Sequence, residues 1–334
     1  MLDIRELIDR FEDAVRSHAL GGPGVYARWS RPESAPGHPV GLDPYGCADA
    51  ANILYTLGLF PSDPRGRAVW VQTLQEMQDP ETGLFRETTH HAIHTTAHCI
   101  AALELFDERP LYPVHALWDL KDPAKMEGFL DGLDWRGDPW SQSHRGAGLY
   151  VALVLTREVG VDWEDRYFTW LWDQADPATG FLRQGCVPPL ATGDPLLFAH
   201  LAGTFHYLFN QEYARRPLRF PEAMVESCLE IGRRRLFPLG QAVGFAEIDW
   251  VYCLSRSARQ SGHRFRETRE ALRVFAEGYV AFLSGIDPHT HAGWDDLHGL
   301  FGAVCALAEL QQALPGLLRA SRPLKLVLDR RPFI

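Results

Sequence analysis

Gln78-Asp79-Pro80-Glu81-Thr82-Gly83-Leu84-Phe85-Arg86 and Gln174-Ala175-Asp176-Pro177-Ala178-Thr179-Gly180-Phe181-Leu182-Arg183 spell one turn twice, and that repetition decides the fold. Proline fixes φ, aspartate accepts from its own downstream backbone and glycine takes a positive φ, so each stretch ends a helix and reverses the chain. Behind each turn comes a segment that is small and apolar nearly all round, His94-Thr95-Thr96-Ala97-His98-Cys99-Ile100-Ala101-Ala102-Leu103 in one case and Leu201-Ala202-Gly203-Thr204-Phe205-His206-Tyr207-Leu208 in the other. A helix with little polar face is a buried one.

The same grammar yields six such segments, starting near Gly46, His94, His144, Leu197, Ile248 and Asp295, 47 to 53 residues apart. A more amphipathic stretch precedes each, roughly 2–18, 64–78, 123–133, 162–174, 221–235 and 265–284. Charged stripes such as Arg264-Phe265-Arg266-Glu267-Thr268-Arg269-Glu270 mark these as outer helices, wet on one side. Turn material at Gly21-Gly22-Pro23-Gly24, Asp138-Pro139, Pro238-Leu239-Gly240 and Asp287-Pro288 separates the other pairs. Six hairpins of a wet and a dry helix predict an all-α fold, an α/α toroid of six inner and six outer helices, as a single domain over 1–334 with marginal β-content. An open solenoid would need polar terminal caps. The last inner segment, Leu297 to Leu310, is as apolar as the middle ones, so the first repeat is expected to cover it and close the ring.

The 334 residues are 46% apolar and 23% charged, the balance of an ordinary globular chain. With 33 Lys+Arg against 43 Asp+Glu the formal charge is -10, and the overall field repels nucleic acid and anionic membrane surfaces. The longest apolar stretch, Gly146 to Leu155, is about half of what a bilayer span needs. The start Met1-Leu2-Asp3-Ile4-Arg5-Glu6 lacks a basic region followed by an apolar one, so a cytoplasmic location is the expectation. Six scattered cysteines without a C-x-x-C pair read as reduced, buried thiols.

Polar residues collect at the beginnings of the inner helices: Asp49; His94, Thr95 and His98; Ser143, His144 and Arg145; His200, Thr204 and His206; Glu247 and Asp249; Asp295, Asp296 and His298. In a toroid these beginnings share one end, so the residues should converge on one mouth, a pocket for a small-molecule or oligosaccharide substrate. The plainer alternative makes Asp49, Ser143 and Asp295 helix N-caps and the histidines satisfied core residues. Trp29, Trp135, Trp140 and Trp294 lie just before inner helices, where flat rings suit sugar faces or isoprenoid chains, or simply plug gaps between hairpins.

The pattern Gln78, Asp79-Pro80, Gly83-Leu84-Phe85, then His94, Thr96-Ala97 and Ala101-Ala102-Leu103 resembles the repeat of protein prenyltransferase β-subunits and terpenoid cyclases. In the β-subunits an Asp and a Cys at the fifth inner helix and a His at the sixth hold zinc. The matching neighbourhood here is Glu247-Ile248-Asp249 and Asp295-Asp296-Leu297-His298, with Asp249 where the Cys would stand, so a Glu247/Asp249/His298 set is the divalent-metal candidate this resemblance implies. The Asp-Pro-x-Thr-Gly-Leu-Phe turn is equally similar to that of six-hairpin unsaturated glucuronyl and rhamnogalacturonyl hydrolases and the related sugar epimerases. Those enzymes use carboxylates or histidines from the inner-helix beginnings as acid and base.

Glycoside hydrolysis needs two carboxyl groups about 5–10 Å apart, one of them kept protonated. Glu247, beside Phe245 and Ala246, is the candidate for a raised pKa, with Asp249 as its partner. Epimerase or lyase chemistry abstracts a proton beside a carbonyl or carboxylate, which suits a histidine. His98, His200 and His206 are available, and Arg145 is placed to clamp a uronate unless it faces outward in a salt bridge. His94 and His98 have ligand-like i, i+4 spacing, but Thr95 stands where a His-Glu-x-x-His motif has its base. The leading expectation is therefore an acid/base carbohydrate enzyme using Glu247, Asp249, His98, His206 and His298. Its substrate path would be lined by Trp29, Asp49, His94, Trp140, Arg145, His200, Trp294, Asp295 and Asp296. An isoprenoid enzyme, with or without a metal, is the alternative.

Overall fold

Four aspartate-proline pairs start helices in the computed structural model, which describes all residues, 1–334. Asp43, Asp63, Asp122 and Asp138 each accept a backbone N–H from the first turn, and the proline behind each occupies a position whose N–H the helix does not need. The helices are α1 (Arg5–Ser17), α2 (Pro44–Thr56), α3 (Pro64–Glu76), α4 (Ala92–Leu105), α5 (Pro123–Asp131), α6 (Pro139–Leu155), α7 (Val161–Gln174), α8 (Leu196–Tyr213), α9 (Pro221–Arg234), α10 (Ala246–Ser261), α11 (Phe265–Gly285), α12 (Leu297–Ala313) and the single turn α13 (Val327–Arg330). The fold is all-α. Its strands are one two-residue parallel pair, Leu2–Asp3 with Leu318–Arg319.

The repeated turn is the same object twice. Asp79 accepts from the backbone of Glu81 (2.8 Å) and Thr82 (3.2 Å), as Asp176 does from Ala178 (3.0 Å) and Thr179 (2.8 Å). Each then docks on the following even-numbered helix. Phe85 N–H donates to Thr96 Oγ1 at 2.9 Å, and Leu182 N–H to Thr204 Oγ1 at 2.8 Å. Gly83 and Gly180 both have φ of +74°, and a Cβ there would collide with Pro113 O in one turn and with Phe220 O in the other. Only glycine meets both demands.

The even-numbered helices are buried nearly all round, as in α4 from Ile93 to Leu103, whereas α1 buries only the stripe Leu7, Ile8, Phe11, Ala14 and Val15. The even helices pack in series, α2 on α4, α4 on α6, α6 on α8, α8 on α10 and α10 on α12, and α12 lies against α2. α1 covers parts of α12 and α2, so the last apolar segment is sheltered by the first repeat. One continuous apolar core includes residues from Ile4 to Ile334. Five of the six cysteines are buried, and all six are free thiols. No helix is long and apolar enough to cross a membrane.

Two details differ from the sequence reading. α6 begins at Pro139, five residues before His144, because Asp138-Pro139 caps a helix instead of ending a turn. The tail behind α13 was invisible to the repeat. Arg331, Phe333 and Ile334 are buried, Phe333 setting its ring 4.9 Å from His94 and 5.6 Å from Phe209.

Candidate functional site

Tyr45, Asp49, His94, His98 and His298 meet where α2, α4 and α12 begin. The i, i+4 spacing places Tyr45 above Asp49, and His94 above His98, on single helix faces. His98 Nε2 lies 2.9 Å and His298 Nδ1 3.1 Å from the same Asp49 oxygen, Oδ1. Tyr45 Oη lies 2.9 Å from His94 Nδ1 and 3.5 Å from His298 Nε2, and its ring stacks on His98 at 4.4 Å. All five side chains are buried.

The network continues through α6 and α8. His94 and His144 have ring centroids 4.2 Å apart, and His144 Nε2 is 2.9 Å from His206 Nε2. Ser143 donates its hydroxyl proton to Trp140 O at 2.6 Å, so it accepts from His206 Nδ1–H at 2.7 Å. That fixes His206 Nε2 as an acceptor and His144 Nε2–H as its donor. Five of the six even helices thus contribute to one imidazole-rich cluster.

Burial dominates the electrostatics. It holds His94, His98, His144 and His298 well below the ordinary imidazole value, with neighbouring histidines or the Arg28 and Arg331 guanidiniums lowering them further. His206 is driven down to about 3 by burial alone. The Asp49 carboxyl is pushed well above the carboxylate range by burial, which Arg28 opposes. Burial likewise lifts the Tyr45 phenol. Asp49 Oδ2, His98 Nδ1 and the two terminal nitrogens of Arg331 are buried with no hydrogen-bond partner. The imidazoles here are neutral bases and donors, not cations.

Asp49, Ser143 and Asp295 are not the N-caps the plainer reading made them; Asp43, Asp138 and Asp296 fill those places in α2, α6 and α12. Asp295 fastens the loop before α2, accepting from Ser30 and Arg31 backbone N–H at 3.2 and 3.0 Å. Asp296 takes both forks of Arg28, at 2.8 and 3.0 Å.

The cluster does not gather every expected residue. Glu247 accepts from Gly240 N–H at 3.1 Å, and both Asp249 oxygens are buried without a partner. Neither forms a hydrogen bond or an ion pair with the histidine cluster, so the Glu247/Asp249/His298 metal set is not assembled. Asp249 shares the helix side of Cys253, whose Sγ approaches Leu201 O on α8. Burial raises the Asp249 carboxyl well above its usual value and Glu247 adds to the rise.

His200 packs near Trp135, ring centroids 6.0 Å apart, and burial drives it to about 4. Arg145 lies over Phe129 of α5 and donates to Gln142 at 3.1 Å, outside the cluster. Trp294 stacks on Phe11 of α1 at 4.9 Å beneath Arg10, and Trp140 sets its edge on Phe198 at 5.8 Å: both fill gaps between helices. Trp29 stacks on His38 at 5.4 Å and carries the Arg28 guanidinium at 4.3 Å.

Sequence reasoning passed over Tyr45, His90, Glu87, Arg28 and Arg331. His90 continues the four-residue ladder of His94 and His98 and stacks on Tyr45 at 4.5 Å, which the spacing alone signals. Glu87 accepts from His90 Nδ1 at 3.0 Å and from Thr89 Oγ1 at 2.7 Å, and with this bonding is held down to about 2 although burial opposes it. A cavity of about 780 Å³ lies elsewhere, among Phe237, Leu239, Trp250, Val274, Phe275 and Tyr279 between α9 and α11.

Comparison with known proteins finds no matching family model, no matching curated protein and no matching solved structure.

Proposed function

We propose that the chain is an α/α-toroid enzyme that acts on a carbohydrate or glycoconjugate by acid/base catalysis, with Tyr45 and His298 as the proton-transfer pair and Asp49 as the group that orients it. The series of even helices, with α12 against α2, supports the closed ring. The observation that carries the functional reading is the chain Asp49–His298–Tyr45–His94, a carboxylate, an imidazole and a phenol within hydrogen-bond reach of one another.

With His298 Nδ1–H donated to Asp49 Oδ1, His298 Nε2 is an acceptor and takes the Tyr45 proton, while His94 Nδ1–H supports the phenol oxygen. Tyr45, its phenol raised by burial, serves as the proton donor, and the neutral imidazoles serve as bases. Hydrolysis calls for two carboxyl groups astride the bond. The cluster supplies Asp49 and several imidazoles, with Glu87 already ionised and fully bonded, so proton abstraction and return, as in an epimerase or lyase, fits better than hydrolysis. The cations argue against an isoprenoid diphosphate, which wants several: Arg28 is bound to Asp296 and Arg145 faces α5, leaving Arg331 alone beside the cluster.

A thermal-shift screen of sugars, uronates and isoprenoid diphosphates identifies the ligand class, because a ligand of the native state raises its melting point. Turnover of the sugar that binds should then fall about 10²–10⁴-fold in Tyr45→Phe with KM little changed. An isoprenoid diphosphate as the sole binder, or an undiminished kcat in Tyr45→Phe, contradicts the proposal.

A further inference from the structure

We infer that Asp49, His98 and His298 form a zinc site, with one carboxylate oxygen and two imidazole nitrogens as ligands and a fourth position left for a water or an anion. The inference stands on ligand geometry; zinc on His298 Nδ1 would leave the ring proton on Nε2, so in the loaded protein His298 would donate to Tyr45 Oη and not accept from it as in the acid/base reading. The three donor atoms lie within 4.8 Å of one another and come from three helices, α2, α4 and α12, so the fold itself assembles the set. None of them is adjacent in sequence to another.

Zinc holds imidazole nitrogens at about 2.0–2.1 Å and carboxylate oxygens at about 2.0–2.2 Å, which spaces the donors of a tetrahedron about 3.3 Å apart. His98 Nε2 and His298 Nδ1 lie 2.9 and 3.1 Å from Asp49 Oδ1, so a small outward shift of the rings makes room for the ion. Both nitrogens converge on one oxygen while Asp49 Oδ2, fully buried, has no partner at all. Leaving one oxygen of a buried carboxylate without any partner is costly, and a bound cation at that group would offset the cost.

The surroundings fit a ligand shell. His298 keeps its other nitrogen, Nε2, within 3.5 Å of Tyr45 Oη, the kind of second contact that orients a metal-bound imidazole. Tyr45 stacks on His98 at 4.4 Å and Phe245 packs tilted against His298 at 4.1 Å, which fixes both rings and dries the site. Arg331, buried nearby with two nitrogens unpartnered, adds positive charge. One carboxylate leaves a bound zinc with net positive charge, so the fourth ligand should be anionic, a hydroxide or the carboxylate of an acidic sugar. The neutral-imidazole, single-carboxylate donor set suits zinc better than magnesium or calcium, which prefer all-oxygen shells.

The test uses the full chain, loaded with zinc, dialysed and analysed for metal, and then the cobalt-substituted protein. Wild type should retain one zinc per chain, and Asp49→Asn, His98→Asn and His298→Asn should each weaken zinc affinity about tenfold or more. Tyr45→Phe and Glu247→Gln should keep the ion, so loss of turnover in Tyr45→Phe with zinc retained separates the two proposals. Cobalt in the wild type should give the intense visible absorption of a four-coordinate site and paramagnetically shifted ring N–H signals from two histidines, a readout that requires no variant to fold. Substoichiometric zinc in the wild type, zinc retained by all three ligand variants, preference for iron or manganese, or a cobalt spectrum without two shifted histidines each overturns the inference.

Discussion

The two ends of the even-numbered helices are built on opposite principles. At their far ends Arg256 of α10 donates Nε and Nη2 to Glu309 of α12 at 2.8 and 2.7 Å, while its Nη1 reaches Glu212 at 3.2 Å and Asp329 at 2.8 Å. Ser255 adds a bond to Glu309 at 2.7 Å, so the Arg256 guanidinium and the Glu309 carboxylate satisfy each other, with only the Tyr252 hydroxyl beside them left without a partner. At the near ends Asp49 Oδ2 and His98 Nδ1 are equally buried and have no partner. One end is closed by mutual pairing; the other keeps donors and acceptors in reserve, at the cost of desolvated groups. Unpartnered buried atoms also occur outside the cluster, at Asp249, Tyr252 and Tyr279, so it is their convergence with several imidazoles that marks the near end.

The largest expected effect is at the paired end. Glu309→Leu removes two of the carboxylate bonds of a buried guanidinium, leaving only those of Nη1, and should cost about 3 kcal/mol of stability in denaturant unfolding, with a shift in midpoint. A loss below 1 kcal/mol would make the two ends alike and erase the contrast. The near end carries its own signature in pH. His206 is neutral when folded, down to about pH 3, and takes up its proton near the ordinary imidazole value of 6.5 when unfolded. The unfolded state therefore binds more protons in that window, so this contribution to stability is complete above about pH 6.5 and is lost progressively as pH falls. Between pH 6.5 and 4.5 it amounts to about 2–3 kcal/mol, so His206→Gln should show a correspondingly flatter stability profile over that range. The raised Asp49 and Asp249 act with the opposite sign, losing stability as pH rises above the unfolded carboxyl value, which is why the variant difference is the quantity to measure.

Smaller in stability but sharper in function is the pair Asp49→Asn and Asp249→Asn. Each removes a carboxylate oxygen that is buried without a partner, so each should change stability by no more than about 1 kcal/mol at neutral pH. Only Asp49→Asn should abolish turnover. Equal loss in Asp249→Asn would return the chemistry to α10.

The alternation of helices was legible because turn and helix chemistry agree locally: Asp79-Pro80 and Gly83, Asp176-Pro177 and Gly180 punctuate segments whose polarity differs on sight. Asp49, His94, His98 and His298 were legible as polar intrusions in apolar helices. Which way a helical residue faces was not. Glu247 and Asp249 share a helix beginning with Phe245, which touches His298, yet at about 100° per residue they turn to other neighbours. Tyr45 was passed over, since a buried ring does not reveal its hydroxyl's partner. Arg331 and Phe333 lie outside the repeat, and only the packing of α13 against α2 and α8 carries them inward.

The most direct measurement is long-range proton–nitrogen correlation NMR of the histidine rings in the metal-stripped protein. The convergence of α2, α4 and α12 on Asp49 predicts rings that stay neutral well below the ordinary imidazole value of 6.5, with the proton on Nε2 of His98 and on Nδ1 of His298. Rings that titrate near 6.5, or that carry their protons on the other nitrogens, would contradict it.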